Sequence, residues 1–151
     1  MPRPVARSRP TIVMEAVEGL PSPDPPRRAT RGSACFDLAA AETVRLTRRR
    51  VTLVRTGLKL RAPAGYFLEV RPRSGLSARG VLMANAPGTI DRDYSGEIRV
   101  PLTFLFSGAY TVRTGDRIGQ IRLVPDLPAR FRPGRVARRA SRSGGFGSTG
   151  R

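Results

Sequence analysis

Apolar and polar positions alternate most clearly over residues 98–106. Ile98, Val100, Leu102, Phe104 and Phe106 fall on one face and Arg99 and Thr103 on the other, the period of two expected of a strand with one buried face. Similar shorter runs occupy residues 11–16, 51–60, 66–70 and 118–124, separated by turn material such as Ala62-Pro63-Ala64-Gly65 and Thr114-Gly115-Asp116. Short strands at such spacing predict a β-sandwich or barrel. Residues 77–83 allow one helical turn, but nothing sustains a helical period long enough for a major helix. The chain reads as all-β.

The ends depart from this pattern. Residues 1–10 form a basic N-terminal arm, residues 11–125 carry the strand signals, and residues 126–151 lose the periodicity and read as a C-terminal arm. Residues 21–31, rich in Pro and Arg, read as a loop. A chain of 151 residues is sized for one domain with a modest core, and association of copies is a natural way to bury more apolar surface. No run approaches the roughly 18 apolar residues of a membrane span, and the N-terminus lacks the apolar stretch of a secretory signal. The expected protein is soluble and intracellular, cytoplasmic or nuclear.

Composition narrows the chemistry. Histidine is absent, which removes the commonest general base and metal ligand and leaves acid–base work to carboxylates. The single cysteine, Cys35, cannot close an intrachain disulfide. A net charge of +17 favours anionic partners, nucleic acid or nucleotides. Almost all of it is arginine, Lys59 being the sole lysine, and a GC-rich genome produces the same bias. Against this background the segment GTIDRDYSGE, residues 88–97, concentrates three of the eleven acids of the chain.

Four internal segments and the terminus can carry chemistry. In RPRSGLSARG, residues 71–80, Arg73, Ser74 and Gly75 offer a guanidinium, a hydroxyl and backbone N–H groups in succession, which suits phosphate oxygens; a plain turn with a surface arginine is the alternative. In GTIDRDYSGE, Asp91 follows Thr89 and Ile90, so its carboxylate is expected in a partly dry pocket where it can take a proton from water. Tyr94 offers a flat ring for a sugar or base, or simple packing. GDRIGQ, residues 115–120, places Gln120 in a strand after a turn. SACFDL, residues 33–38, sets Asp37 between apolar neighbours, where it can face Mg²⁺ directly or through water, or act as an ordinary loop acid. The terminal RSGGFGSTG puts Arg142, Phe146, Ser148 and Thr149 on a glycine backbone that can approach a ligand closely; a disordered tail is the plain alternative.

Taken in order and at these spacings, SACFDL, RPRSGLS, GTIDRDYSGE, GDRIGQ and RSGGFGSTG resemble the five motifs of the trimeric deoxyuridine triphosphatases (dUTPases), with VRTGLKL and APAGYFLEVRPRSGL resembling their connecting strands. The resemblance spans residues 11–150 and implies a jelly-roll-like β-barrel with a flexible C-terminal arm, assembled as a homotrimer with sites shared between chains. The implied reaction is Mg²⁺-dependent hydrolysis of dUTP to dUMP and diphosphate, which limits uracil in DNA and supplies dUMP for thymidylate synthesis. Asp91 then matches the general base. Tyr94 matches the residue under the deoxyribose that excludes a 2′-hydroxyl. Asn85, with the backbone through Gly88, Thr89 and Ile90, matches the hairpin that reads the uracil edge. Arg73, Ser74, Gly75 and Gln120 match the phosphate contacts, and Asp37 matches the acid associated with Mg²⁺. In the tail, Phe146 matches the aromatic that closes over the uracil. Arg142, Ser148 and Thr149, framed by Gly145 and Gly147, match the clamp on the γ-phosphate.

Departures from the family pattern are Cys35 for glycine, Ser77 for alanine, Thr89 for an aliphatic residue and Gly119 for alanine. Two other readings remain beside this one. Deamination of dCTP on the same scaffold needs a glutamate base and a Gly-Phe element where this chain has Asp93-Tyr94. A binding module that keeps the fold without catalysis would use the extra arginines at 27–28, 48–50 and 138–139 as a nucleic-acid contact rather than a solvated face.

Overall fold

The computed structural model describes residues 9–20 and 24–135. Eleven strands and one short helix follow in chain order: β1 (Val13–Ala16), β2 (Phe36–Ala39), β3 (Val44–Thr47), β4 (Thr52–Arg55), β5 (Leu58–Arg61), β6 (Tyr66–Arg71), α1 (Ser74–Ser77), β7 (Val81–Met83), β8 (Gly88–Ile90), β9 (Arg99–Phe104), β10 (Ala109–Val112) and β11 (Arg117–Pro125). They form four small sheets, ordered β2-β11-β6-β8, β4-β9-β7, β1-β5 and β10-β3, with every pairing antiparallel. The architecture is a jelly-roll-like β-barrel. Its interior is filled by Leu38, Leu46, Val54, Leu68, Ile98, Val100, Leu102, Ile118 and Ile121, all buried, and each such side chain contributes about 1.5–3 kcal/mol of hydrophobic stabilisation. Among the described residues no helix is long and apolar enough to cross a membrane.

The alternation at Ile98, Val100 and Leu102 points inward as expected, but the strand stops at Phe104. Phe106 is 53% exposed and sits edge-on to Phe104, ring centroids 5.7 Å apart. It lies over Gly80, where an added Cβ would come within 2.4 Å of its ring. The helical turn also falls earlier than expected, at α1, and residues 81–83 are strand. Gly80, at φ +81°, ends the turn in a backbone conformation that side chains disfavour, and Val81 and Met83 then turn inward around an outward Leu82.

The run over residues 51–60 is two strands. Gly57 at φ +69° breaks it, sending β4 to pair with β9 and β5 to pair with β1. Thr56 is the one buried polar side chain among the described residues. Its hydroxyl donates to the Ile98 carbonyl at 2.6 Å and accepts from the Leu58 N–H at 3.3 Å, so the corner leaves no polar group stranded.

Candidate active site

Sheet register gathers three of the expected residues. On β11, Gln120 lies opposite Asp37 of β2 on one side and Arg71 of β6 on the other, so the end of β6 that leads into Arg73 adjoins both. Arg73 Nε meets Asp37 Oδ1 at 3.1 Å, and Arg117 Nη1 meets Oδ2 at 3.2 Å. Arg73 Nη1 also donates to the Arg117 carbonyl at 3.1 Å, and Gln120 Nε2 donates to the Pro72 carbonyl at 2.9 Å. Two guanidiniums thus converge on one carboxylate, an arrangement that suits an oxyanion equally well. Ser74 and Gly75 follow in the exposed first turn of α1, where N–H groups have no partner within the helix; a Cβ at Gly75 would meet nothing within 4 Å, so the turn is open to a ligand.

The second group is the β7–β8 connection and the loop after it. Asn85 is exposed in the turn, and its amide lies over Gly88, where a Cβ would come within 3.1 Å of Nδ2. Thr89 faces solvent, while Ile90 is half-buried against the core. Together with Leu53, Pro101 and Tyr94, Asn85 and Ile90 line a cleft of about 530 Å³. Tyr94 also borders a broader groove of about 710 Å³ against β1 and β5, but only the smaller cleft carries the Asn85 amide able to read a base edge. The Tyr94 ring is 45% exposed, donates its hydroxyl to the Glu97 carbonyl at 3.0 Å, and rests on Gly96, where a Cβ would lie 2.5 Å from its oxygen.

Asp91 does not occupy the partly dry pocket expected of it. β8 ends at Ile90, and Asp91 emerges into solvent, its carbonyl accepting from the Tyr94 N–H at 3.2 Å. Among the described residues no side chain bonds its carboxylate. The two groups are also far apart. Ile90 lies opposite Leu68, Asp91 continues away from the Arg71 end of β6, and Arg73 lies two residues beyond Arg71. At about 3.3 Å of rise per residue, Asp91 and Arg73 of one chain are on the order of 20 Å apart.

A sequence profile of the dUTPase family matches residues 23–150. The chain belongs to the dUTPase family. Relatives called deoxyuridine 5′-triphosphate nucleotidohydrolase include one from Brucella melitensis, 41% identical and covering 95% of each chain. Another, from Helicobacter pylori, is 45% identical over 83% of this chain and 88% of its own. Among solved structures, the dUTPase of Staphylococcus bacteriophage 80alpha with dUpNHpp superposes with a TM-score of 0.76 at 23% identity, covering 93% of this chain and 98% of its own. A dUTPase of phage phi11, whose structure details a coordinated structural Mg(II) ion, gives 0.73 at 20% identity over 82% and 96%.

Set against the dUTPase motifs, two functional candidates escape the sequence reading. Arg117 sits unremarked inside GDRIGQ, in a chain with twenty-eight basic residues. Glu97 is the acid of GTIDRDYSGE left without a role, and its carboxylate is only 7% exposed. Burial pushes the Glu97 carboxyl up, but the Gly57 N–H and the Arg55 and Arg99 guanidiniums outweigh that and hold it below the ordinary 4.5. The tail residues Arg142, Gly145, Phe146, Gly147, Ser148 and Thr149 lie outside the described residues. Of the extra arginines, Arg48, Arg49 and Arg50 occupy the exposed β3–β4 turn.

The donor set fits Mg²⁺ in one way only. Among the described residues no three His, Cys, Asp or Glu side chains stand together as a metal site, and both Asp37 oxygens take a guanidinium. Mg²⁺ retains its waters tenaciously and commonly binds through one or two carboxylates plus substrate phosphates. Asp37 therefore suits an ion carried on a polyphosphate and reached through water.

Proposed function

We propose that the chain hydrolyses dUTP to dUMP and diphosphate inside the cell, at a site assembled between copies in a homotrimer. Asp91 takes a proton from a water molecule as that water's oxygen bonds to the α-phosphorus. The bond from the α-phosphorus to the oxygen bridging to the β-phosphate breaks in line, and diphosphate leaves with the electron pair. Asn85 and the β8 backbone read the uracil edge, where an unpaired polar group costs more than a misfitted methyl. Tyr94 lies beneath the deoxyribose. Arg73, Ser74, Gly75 and Gln120 hold the phosphate oxygens, which would draw the guanidiniums from Asp37. Mg²⁺ on the triphosphate, with Asp37 as the neighbouring acid, would supply neutralising charge at those oxygens. The tail, through Arg142, Phe146, Ser148 and Thr149, closes over the nucleotide.

The observation that carries this reading is the accessible Asp91 carboxylate, following directly on the Asn85–Ile90–Tyr94 cleft, in a chain that matches the dUTPase profile. Sharing between copies is supported by the separation of Asp91 from Arg73, which leaves each chain with two incomplete halves. It is supported also by the outer face of the β4-β9-β7 region, where Val51, Leu53, Leu82 and Leu105 stand exposed, an apolar surface that a partner would cover.

Diphosphate release measured from dUTP, dTTP, dCTP and UTP tests the assignment. Rapid release from dUTP with the other three slower by about 10² or more is expected. Ammonia from dCTP would favour the deaminase, and salt-sensitive DNA binding without hydrolysis would favour the binding module.

A further inference from the structure

Glu97 occupies an unusual position for the second acid of a surface loop, because its nearly buried carboxylate is held from three directions. Oε1 accepts from the Gly57 N–H at 3.0 Å, while Oε2 accepts from Arg55 Nε at 3.0 Å and Arg99 Nε at 3.1 Å. Arg55 and Arg99 are cross-strand partners on β4 and β9, and two cations directly opposite would repel without an anion between them. The backbone on either side is fixed as well. The Ile98 N–H donates to the Leu58 carbonyl at 2.7 Å and the Thr56 hydroxyl to the Ile98 carbonyl at 2.6 Å. Residues 97 and 98 are thereby fastened to the β4–β5 corner.

Tyr94 inherits this fixity. Its hydroxyl donates to the Glu97 carbonyl, and its ring lies on Gly96, the residue before. Nothing else among the described residues bonds its hydroxyl. The height and tilt of the ring beside the cleft therefore follow from where the Glu97 backbone is held.

We propose that Glu97 is a positioning residue for sugar discrimination: by anchoring the carbonyl that receives the Tyr94 hydroxyl, it sets the platform that excludes a 2′-hydroxyl. This rests on the reading that Tyr94 underlies the deoxyribose of dUTP. Glu97 touches no substrate. Its carboxylate faces the β4–β5 corner and the two arginines, and its effect on selectivity passes entirely through the loop.

The test is the ratio of kcat/KM for dUTP to that for UTP in the full-length protein and in Glu97→Gln, Glu97→Ala and Tyr94→Phe. The Gln variant preserves size and acceptors toward Gly57 but removes the charge between Arg55 and Arg99, and Tyr94→Phe removes the hydroxyl contact while keeping the ring. The expected result is a fall in the ratio of about tenfold or more for Glu97→Ala, with smaller falls in the same direction for Glu97→Gln and Tyr94→Phe. A merely structural role would slow both nucleotides alike, and an unchanged ratio in all folded variants overturns the inference. Should the unmodified protein discriminate between dUTP and UTP while the variants do so equally well, only this inference fails. Should it hydrolyse neither, the dUTP reading fails and takes the inference with it.

Discussion

Asp91→Asn will lower kcat for dUTP by about 10²–10⁴, the range typical of losing a general base, with KM held within about threefold. Asparagine matches aspartate in size, so the loop keeps its shape, and the carbonyl that accepts from the Tyr94 N–H is unaltered. Because Asp91 is exposed and, among the described residues, its carboxylate bonds no other side chain, the variant loses no contact that holds the fold. Surface substitutions of this kind stay within about 0.5 kcal/mol. Steady-state kinetics beside a thermal melt checks both halves of the expectation. A variant as fast as the parent removes Asp91 from the chemistry.

Arg73→Ala has the second large effect, and on a different parameter. Arg73 supplies one of the two guanidiniums at Asp37 and reaches the Arg117 carbonyl as well. In the complex its fork would hold phosphate oxygens, and a charge-assisted contact of that kind contributes about 1.5–3 kcal/mol, or about 10- to 100-fold in KM for dUTP. Arg117 stays in place to pair with Asp37, so the cost to folding is small. Arg73→Lys will recover only part of the loss, because an ammonium carries charge without the planar fork. A KM unchanged in both variants would make Arg73 a surface residue.

The sequence discloses this fold where strands are long enough to show a period. β6, β9 and β11 each have six or more residues, and alternation found all three. β2, β3, β7, β8 and β10 have three or four, too few for a pattern of two to stand out from a loop. Gly57 divided a run whose apolar spacing looked continuous, since a positive φ is not visible in hydrophobicity. At the site, residue types pointed to Asp37, Arg73, Gln120, Asn85, Asp91 and Tyr94. Their grouping into two sets came only with register, which places Gln120 opposite Asp37 and Ile90 opposite Leu68. Arg117 gave no signal because one arginine among so many carries little information. Glu97 gave none because its importance lies in what surrounds its carboxylate, contributed by residues about forty positions earlier.

The separation of the two groups makes the central claim directly measurable. Asp91→Asn and Arg73→Ala proteins, unfolded together in equal amounts and refolded, will form mixed trimers. A site drawing Arg73 from one copy and Asp91 from a neighbour is then intact in about a quarter of positions. Diphosphate release from dUTP, assayed at low nucleotide concentration, should rise from the small residual rates of the separate variants to about a quarter of the parent rate. A mixture no faster than the mean of the two variants would contradict a catalytic site built from Asp91 of one chain and the phosphate-binding arginine of another.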